Sequence, residues 1–367
     1  MLLERRDVNP NRTINRYGPT PLLWAAQKGY SEVVKVLFYR GHVDPNQRID
    51  RCGRTLLPWA AQNGHFEVVK VLLERGDVNP NQVNTEFDQT PLSWAAENGC
   101  SGVVKILLER GDVNPNQADT LCGRTPLCRA AANGHLEVVK MLLERVDVNP
   151  NQADTYPGHT PLLSAAENGH SEVVKVLLER GDVNPDQPDT EYGRTPLLWA
   201  AQRGQGDVVK MLLERVDVNP SQADTKCGQT PLWWAARNGH SVVLKMLLAR
   251  GDVDPDQADT KYGRTPVSWA ARNGHERVVY MLLERGVNPD LVDISRGWTP
   301  LEWAVEYGHL GVVEIFSEST DVRTSTPDNQ NQTPPSIKSP RWSKPLPIFR
   351  LQLFRRLRNT KTHPRNA

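Results

Sequence analysis

One unit recurs along nearly the whole chain, and its period restricts what the chain can fold into. A Thr-Pro pair stands at Thr20, Thr90, Thr125, Thr160, Thr195, Thr230, Thr265 and Thr299, and Thr55-Leu56 fills the remaining slot. Successive steps are 35 residues, with 34 at the last. After each pair come Ala-Ala or a near variant, Asn-Gly-His or a near variant, Val-Val-Lys, Leu-Leu-Glu-Arg and Asp-Val-Asn-Pro. Self-similarity at such a period indicates a solenoid. Each unit then buries its apolar face only against its neighbours, so the stack offers a long surface rather than an enclosed pocket.

The stretch from Thr125 to Pro150 shows how one unit folds. Thr125 is placed to cap a helix, and Pro126 takes the first helical position, where its missing N–H costs nothing. Leu127, Ala130, Ala131 and Gly134 follow at helical spacing, giving a short helix that ends at a glycine. A second helix is expected from about Leu136 to Arg145, with Val138, Val139, Leu142 and Leu143 on one stripe. Asp147-Val148-Asn149-Pro150 then extends the chain, because the residue before a proline avoids the helical region. Gly123 closes the turn before the Thr-Pro pair.

This pattern resembles the ankyrin repeat, whose core reads Gly-x-Thr-Pro-Leu-His-x-Ala-Ala-x-x-Gly-His followed by Val-Val and Leu-Leu. The resemblance covers residues 11 to 320 in nine consecutive units, and wordings such as Asp-Val-Asn-Pro-Asn are most similar to long arrays of filamentous fungi. It implies an all-α ankyrin-repeat solenoid of nine helix-turn-helix repeats with β-hairpin finger loops. Two departures matter. The unit is longer than the family's usual period of about 33 residues, so the fingers should be enlarged. The family's His after Thr-Pro-Leu is replaced by Leu23, Pro58, Ser93, Cys128, Leu163, Leu198, Trp233, Ser268 and Glu302, which leaves its hydrogen bond between repeats in question throughout. For function, the resemblance implies a non-catalytic protein–protein interaction scaffold that docks a partner on the concave face and fingers. The alternative is a recognition or regulatory module of a larger signalling or ubiquitin-ligase-type protein, with its effector domain missing upstream.

Residues 1–10 read as a partial repeat, its second helix only, because they differ from 141–150 and from 211–220 at one position in ten. Both an internal start and a minimal cap are compatible with that half-repeat. From 321 to 367 the composition turns to that of a disordered, basic tail. Residues 338–367 hold nine Lys/Arg and no Asp/Glu. The remaining 35 Lys/Arg against 43 Asp/Glu leave the rest of the chain at −8, a balance that suggests no nucleic-acid partner for the array. Residues 348–358 are short, basic and apolar, and read as a weak membrane contact, a nuclear signal or a partner site. No apolar run reaches the ~18 residues of a membrane span. An intracellular location, cytoplasmic or nuclear, is expected.

No catalytic, cofactor-binding or metal constellation emerges. Cys52, Cys122 and Cys227 share one cassette position 70 and 105 residues apart, a spacing unlike that of metal ligands, and free thiols are expected. His65, His135, His170, His240, His275 and His309 follow the inter-helix glycine, a structural place in the family. Asp252, Asp254, Asp256 and Asp259 have the opening spacing of a calcium loop, but Gln257 and Gly263 stand where glycine and a bidentate glutamate are needed.

The candidate binding residues are aromatic and basic. Seven of ten tryptophans share the slot four residues after the cap: Trp24, Trp59, Trp94, Trp199, Trp234, Trp269 and Trp303. Arg129 and Ser164 take the slot in two repeats. A deeply buried arginine is costly, so the slot is expected to be half exposed, its indoles either packed on the next repeat or lining the concave face. Positions that differ among near-identical units mark surface free to diversify. Among them Arg194, Arg203, Arg237, Arg264 and Arg272 cluster in repeats six to eight beside tryptophans, an arrangement suited to an acidic partner segment.

Overall fold

The computed structural model describes residues 20–40, 44, 46, 55–83 and 88–324. Among them lie eighteen helices and no strand. The odd-numbered helices follow the caps: α1 (Pro21–Gln27), α3 (Leu56–Gln62), α5 (Pro91–Glu97), α7 (Pro126–Ala132), α9 (Pro161–Asn168), α11 (Pro196–Arg203), α13 (Pro231–Asn238), α15 (Pro266–Arg272) and α17 (Pro300–Tyr307). The even-numbered helices carry Val-Val and Leu-Leu: α2 (Ser31–Arg40), α4 (Phe66–Leu73), α6 (Ser101–Leu108), α8 (Leu136–Leu143), α10 (Ser171–Leu178), α12 (Gly206–Leu213), α14 (Ser241–Leu248), α16 (Glu276–Glu284) and α18 (Leu310–Thr324). Odd helices pack on odd from α1 to α17, and even on even from α2 to α16. The Ala-Ala pairs are fully buried between successive odd helices, where the absence of longer side chains lets the backbones approach. This is the all-α solenoid that the repeat predicts.

The cap works as its chemistry requires, and its one failure has a visible cause. In eight of the nine odd helices the threonine hydroxyl oxygen accepts from the third helical amide, as Thr125 does from Cys128 at 3.2 Å. Thr55 makes no such bond. Its third helical residue is Pro58, which has no N–H to give. Between the helices Gly134 takes φ +74°, where an L side chain is strained, and an added Cβ would also meet His170 Nδ1 at 2.5 Å.

Three side-chain ladders run between successive repeats over much of the array. The histidine after the inter-helix glycine donates from Nε2 to a carbonyl 37 or 38 residues earlier: His135 to Glu97 at 2.9 Å, His170 to Ala132 at 3.0 Å, His275 to Arg237 at 2.9 Å. Arg75, Arg110, Arg145, Arg180, Arg215 and Arg250 each grip the aspartate two residues on with two nitrogens, and each donates a third bond to a carbonyl of the previous repeat. The second asparagine of Asn-Pro-Asn forms the third ladder. Asn116 Nδ2 donates to Asp147 O at 2.5 Å, while its Oδ1 accepts from the Asn149 amide at 3.0 Å. The enlarged segment of the repeat therefore carries contacts between repeats. The described fingers from Asp119 onward close on backbone bonds such as Asp119 N–H to Arg124 O at 3.1 Å, and one reaches the next through bonds such as Thr155 N–H to Cys122 O at 2.7 Å.

The inter-repeat bond expected to be in question throughout exists at two positions in a new form. Trp233 Nε1 donates to Arg264 O at 3.1 Å, and Cys128 Sγ to His159 O at 3.3 Å. Cys100, Cys122, Cys128 and Cys227 are free thiols. Burial, with help from Asp154, pushes the Cys128 thiol up to about 12. No described helix is long and apolar enough to cross a membrane. The partial repeat at 1–10, Cys52 and residues 325–367 lie outside the described residues.

Candidate functional site

The slot four residues after the cap is governed by a residue ten positions before it, on the finger. Asp119, Asp154, Asp189, Asp224, Asp259 and Asp293 stand there and are all buried. The carboxylate first organises its own loop: Asp119 accepts from the amides of Cys122 at 2.8 Å and Arg124 at 3.1 Å. In four of these six repeats its Oδ2 then takes a bond from the slot. Trp199 Nε1 donates to Asp189 at 2.8 Å, Trp269 to Asp259 at 3.1 Å and Trp303 to Asp293 at 2.6 Å. Arg129, in the same slot, donates to Asp119 at 2.7 Å. The finger thus folds over this helix face and closes it.

Exposure along the tryptophan row follows the presence of the finger aspartate, even at Trp234, whose buried Nε1 has no partner. Trp199, Trp234, Trp269 and Trp303 are buried, the last to 2% exposure, whereas Trp24 is 43% exposed and Trp59 and Trp94 are half-buried. The first three repeats carry Ile14, Ile49 and Asn84 in place of the aspartate. The slot is therefore not uniformly half exposed as the helical wheel suggested. Arg129 shows why the solvation argument failed: at 9% exposure it is balanced by Asp119 and by Glu97, whose carboxylate lies 2.5 Å away. Burial opposes ionisation of Asp119, but the Cys122 amide and the Arg129 guanidinium outweigh it and hold its pKa below the usual carboxylate range. The recurrent Ala-Asp-Thr of the later fingers, against Ile and Asn in the earlier ones, was the available signal.

The five arginines divide into two layers. Arg194 and Arg264 are buried. Arg194 lies over Trp199 at 5.0 Å and Trp234 at 4.7 Å, and Arg264 over Trp269 at 5.0 Å and Trp303 at 4.3 Å. Each also faces the aspartate of the following finger, Asp224 or Asp293, at 3.7 Å. Guanidiniums and indoles so alternate along the stack, an attractive arrangement for a cation over a π face. Arg203, Arg237 and Arg272 form the outer layer on the odd helices. Arg203 is exposed and paired with Glu167 at 2.6 Å.

Arg237 differs from its neighbours. Its guanidinium lies over Trp233, Trp234 and Trp269 at 5.4, 4.9 and 4.8 Å, and it makes no ion pair or hydrogen bond among the described residues. Burial lowers its pKa, the charges of Arg272 and Arg194 lower it further, and the Asp259 carboxylate opposes the fall. Arg272 lies over Trp269, Trp303 and Tyr307 at 4.9, 5.3 and 5.0 Å, donates to Tyr307 Oη at 2.9 Å, and keeps a buried Nε without a partner. Beneath them Leu198, Trp233, Trp234 and Trp269 form a cluster of their own, with Trp233 edge-to-face on both neighbouring indoles at 5.1 and 5.2 Å. The patch thus holds cations against an apolar, aromatic support.

Two comparisons bear on the chain. A family model described as ankyrin repeats (3 copies) matches residues 1–84, 76–154, 147–224 and 216–293, and a single ankyrin repeat model matches 296–324. A search of curated proteins finds no match.

Proposed function

The chain belongs to the ankyrin repeat family, and from that premise we propose that it is a non-catalytic scaffold that docks a partner protein on its inner, odd-numbered helices and fingers. Ankyrin repeats are generally protein-interaction modules, and proteins built of them are typically non-catalytic. One observation carries the proposal for this chain: the Arg237 guanidinium sits over three indoles with no ion pair among the described residues. A cation that is desolvated and held, but unpaired, is an incomplete interaction, and an acidic segment of the partner completes it. In this reading Arg203, Arg237 and Arg272 meet the partner. Trp199, Trp234, Trp269, Trp303, Arg194 and Arg264 support them from below, while Trp24, Trp59 and Trp94 offer indole surface at the first repeats. The free thiols agree with an intracellular, cytoplasmic or nuclear place of work.

Affinity capture from the native cell tests this. The full chain is compared with an Arg237→Glu/Arg272→Glu variant and with Trp234→Ala, each first checked for folding by circular dichroism. A partner retained by the parent chain and lost from the charge-reversed variant is the expected result. Identical capture by the parent and the charge-reversed variant excludes this face as the docking site.

A further inference from the structure

One member of the outer arginine layer is neutralised by an acid that a second group can claim. We propose that His159 and Glu167 form a proton switch on Arg203: a protonated His159 ring engages the Glu167 carboxylate and leaves the Arg203 charge uncompensated for an acidic partner. The switch rests on the scaffold role proposed above and adds regulation to it.

Register identifies the pair. The residue just before the cap threonine can bond to the residue eight positions on, after Ala-Ala. Gln89 Nε2 donates to Glu97 Oε2 at 3.1 Å, and Arg194 Nη1 to Gln202 Oε1 at 3.2 Å. His159 and Glu167 hold the same two places, yet Nδ1 lies 3.7 Å from Oε2, too far for a hydrogen bond. The other ring nitrogen, Nε2, is buried without a partner. Protonation gives both nitrogens an N–H and adds a charge that draws the carboxylate into contact. Glu167 is half-buried, and its Oε1 accepts from Arg203 Nη2 at 2.6 Å. With a neutral imidazole, that carboxylate and guanidinium cancel. With an imidazolium, the three groups together carry one positive charge. Arg203 is its outward-facing member, half in solvent and with no second acid among the described residues.

The surroundings of the imidazole decide which acid responds. Burial opposes its protonation; Glu167 from α9, Asp154 from its own finger and Asp189 from the next favour it; Arg124 from the preceding finger opposes it. Arg194 shares the Trp199 ring with it, at 5.0 Å against 5.5 Å for the imidazole. Asp154 is already held by the amides of Gly158 and His159 and by Arg124. Asp189 is held by the amides of Tyr192 and Gly193 and by Trp199. Glu167 is therefore the carboxylate that can turn to the ring. The balance sets the His159 pKa below the ordinary histidine value of 6.5. The switch is off at neutral pH and turns on as the pH falls below that value.

Two measurements on the full chain test the switch. Anisotropy follows binding of rhodamine-labelled deca-aspartate from about pH 7.5 to about pH 5.5, a range in which aspartate stays ionised. NMR of histidine-labelled protein follows the His159 ring over the same range. Affinity should rise roughly three- to fivefold as the pH falls. His159→Gln, which repeats the residue of Gln89 and Gln229, should remove that rise, as should Arg203→Ala. His159→Arg, which repeats Arg194 and Arg264, should bind at the tighter level throughout. Glu167→Gln should do the same, and should lower the pH at which the His159 signals titrate. Thermal midpoints of the variants matching the parent at each pH show that they are folded. An equal rise in the parent and His159→Gln, or His159 signals indifferent to Glu167→Gln, overturns the switch. If the peptide binds through Arg237 but ignores His159, the switch fails and acidic docking stands. If the His159 signals respond to Glu167→Gln but capture of a partner ignores Arg237, the coupled pair stands and acidic docking fails. If neither measurement responds, both fail.

Discussion

Arg129 and Trp199 occupy one slot in two repeats and reach equivalent aspartates, Asp119 and Asp189, at 2.7 and 2.8 Å. The consequences differ. Arg129 also takes Glu97 from the preceding odd helix, and that stretch of surface neutralises itself. An indole needs one acceptor and carries no charge. With tryptophan in the slot, Arg203 still pairs with Glu167 at the surface, whereas the Arg237 guanidinium lies over three indoles with no ion pair among the described residues. The difference teaches that the pairing of charges at this surface depends on the layer below it, on what the finger aspartate is given to hold.

Removing the apolar layer under the free cations gives the largest break. Trp233 is fully buried and bonded to Arg264 O, whereas Trp24 is half in solvent. Trp233→Ala should destabilise the array by about 3–5 kcal/mol, and Trp24→Ala by less than about 1 kcal/mol. Urea denaturation fitted with a nearest-neighbour repeat model measures both, since a solenoid need not unfold in one step. Comparable losses at the two sites would mean that burial does not separate the early from the late tryptophans.

A narrower break strikes the shared aspartate. Asp119→Asn leaves the buried Arg129 with one acid, and should cost about 3 kcal/mol. Asp189→Asn leaves a neutral indole with a poorer acceptor, and should cost about 1–2 kcal/mol. Both aspartates also hold the turn amides of their own fingers, so the difference between the variants isolates the slot residue. Equal costs in the same denaturation assay would remove the distinction between cation and indole.

Much of the fold was legible because its signals are local. Thr-Pro, Ala-Ala and the inter-helix glycine each act within one turn, and even the lost cap at Thr55 can be read from Pro58 three residues on. The slot was less legible because its environment comes from a different segment. On an isolated helix Trp199 points away from the core; the finger that carries Asp189 folds over it and makes that face interior. The desolvation argument against a buried Arg129 was sound for a lone cation, but it omitted two carboxylates supplied by other parts of the chain. Differences between near-identical repeats singled out Arg194, Arg203, Arg237, Arg264 and Arg272 alike. They did not reveal that Arg194 and Arg264 lie beneath, between rings.

The smallest expected effect sits in the asparagine ladder, where the same logic of neutral against charged partner applies. Asn151 donates Nδ2 to the carbonyl 31 residues on, Asp182, and accepts from the Asn184 amide. Asp186 keeps the accepting half, taking the Asn219 amide at 2.7 Å, but its other oxygen is buried without a partner. By register that oxygen occupies the place of the amide that would donate to Asp217 O, while Ser221 in the same ladder still donates to Asp252 O at 2.9 Å. Burial raises the Asp186 pKa; the Asn219 bond opposes the rise, and the Asp217 charge adds to it. A folded pKa above the unfolded one means that the native state binds this proton more tightly. The stabilising contribution of protonation is complete below the unfolded carboxylate pKa of about 4 and is lost as pH rises through the raised folded value. Asp186→Asn restores a donor that does not titrate. It should stabilise the array by about 1 kcal/mol at neutral pH, and the gain over the parent chain should shrink as the pH falls towards the carboxylate range. Denaturation at a series of pH values checks both size and slope. A gain that stays constant with pH would show that the ionised carboxylate is not the cause.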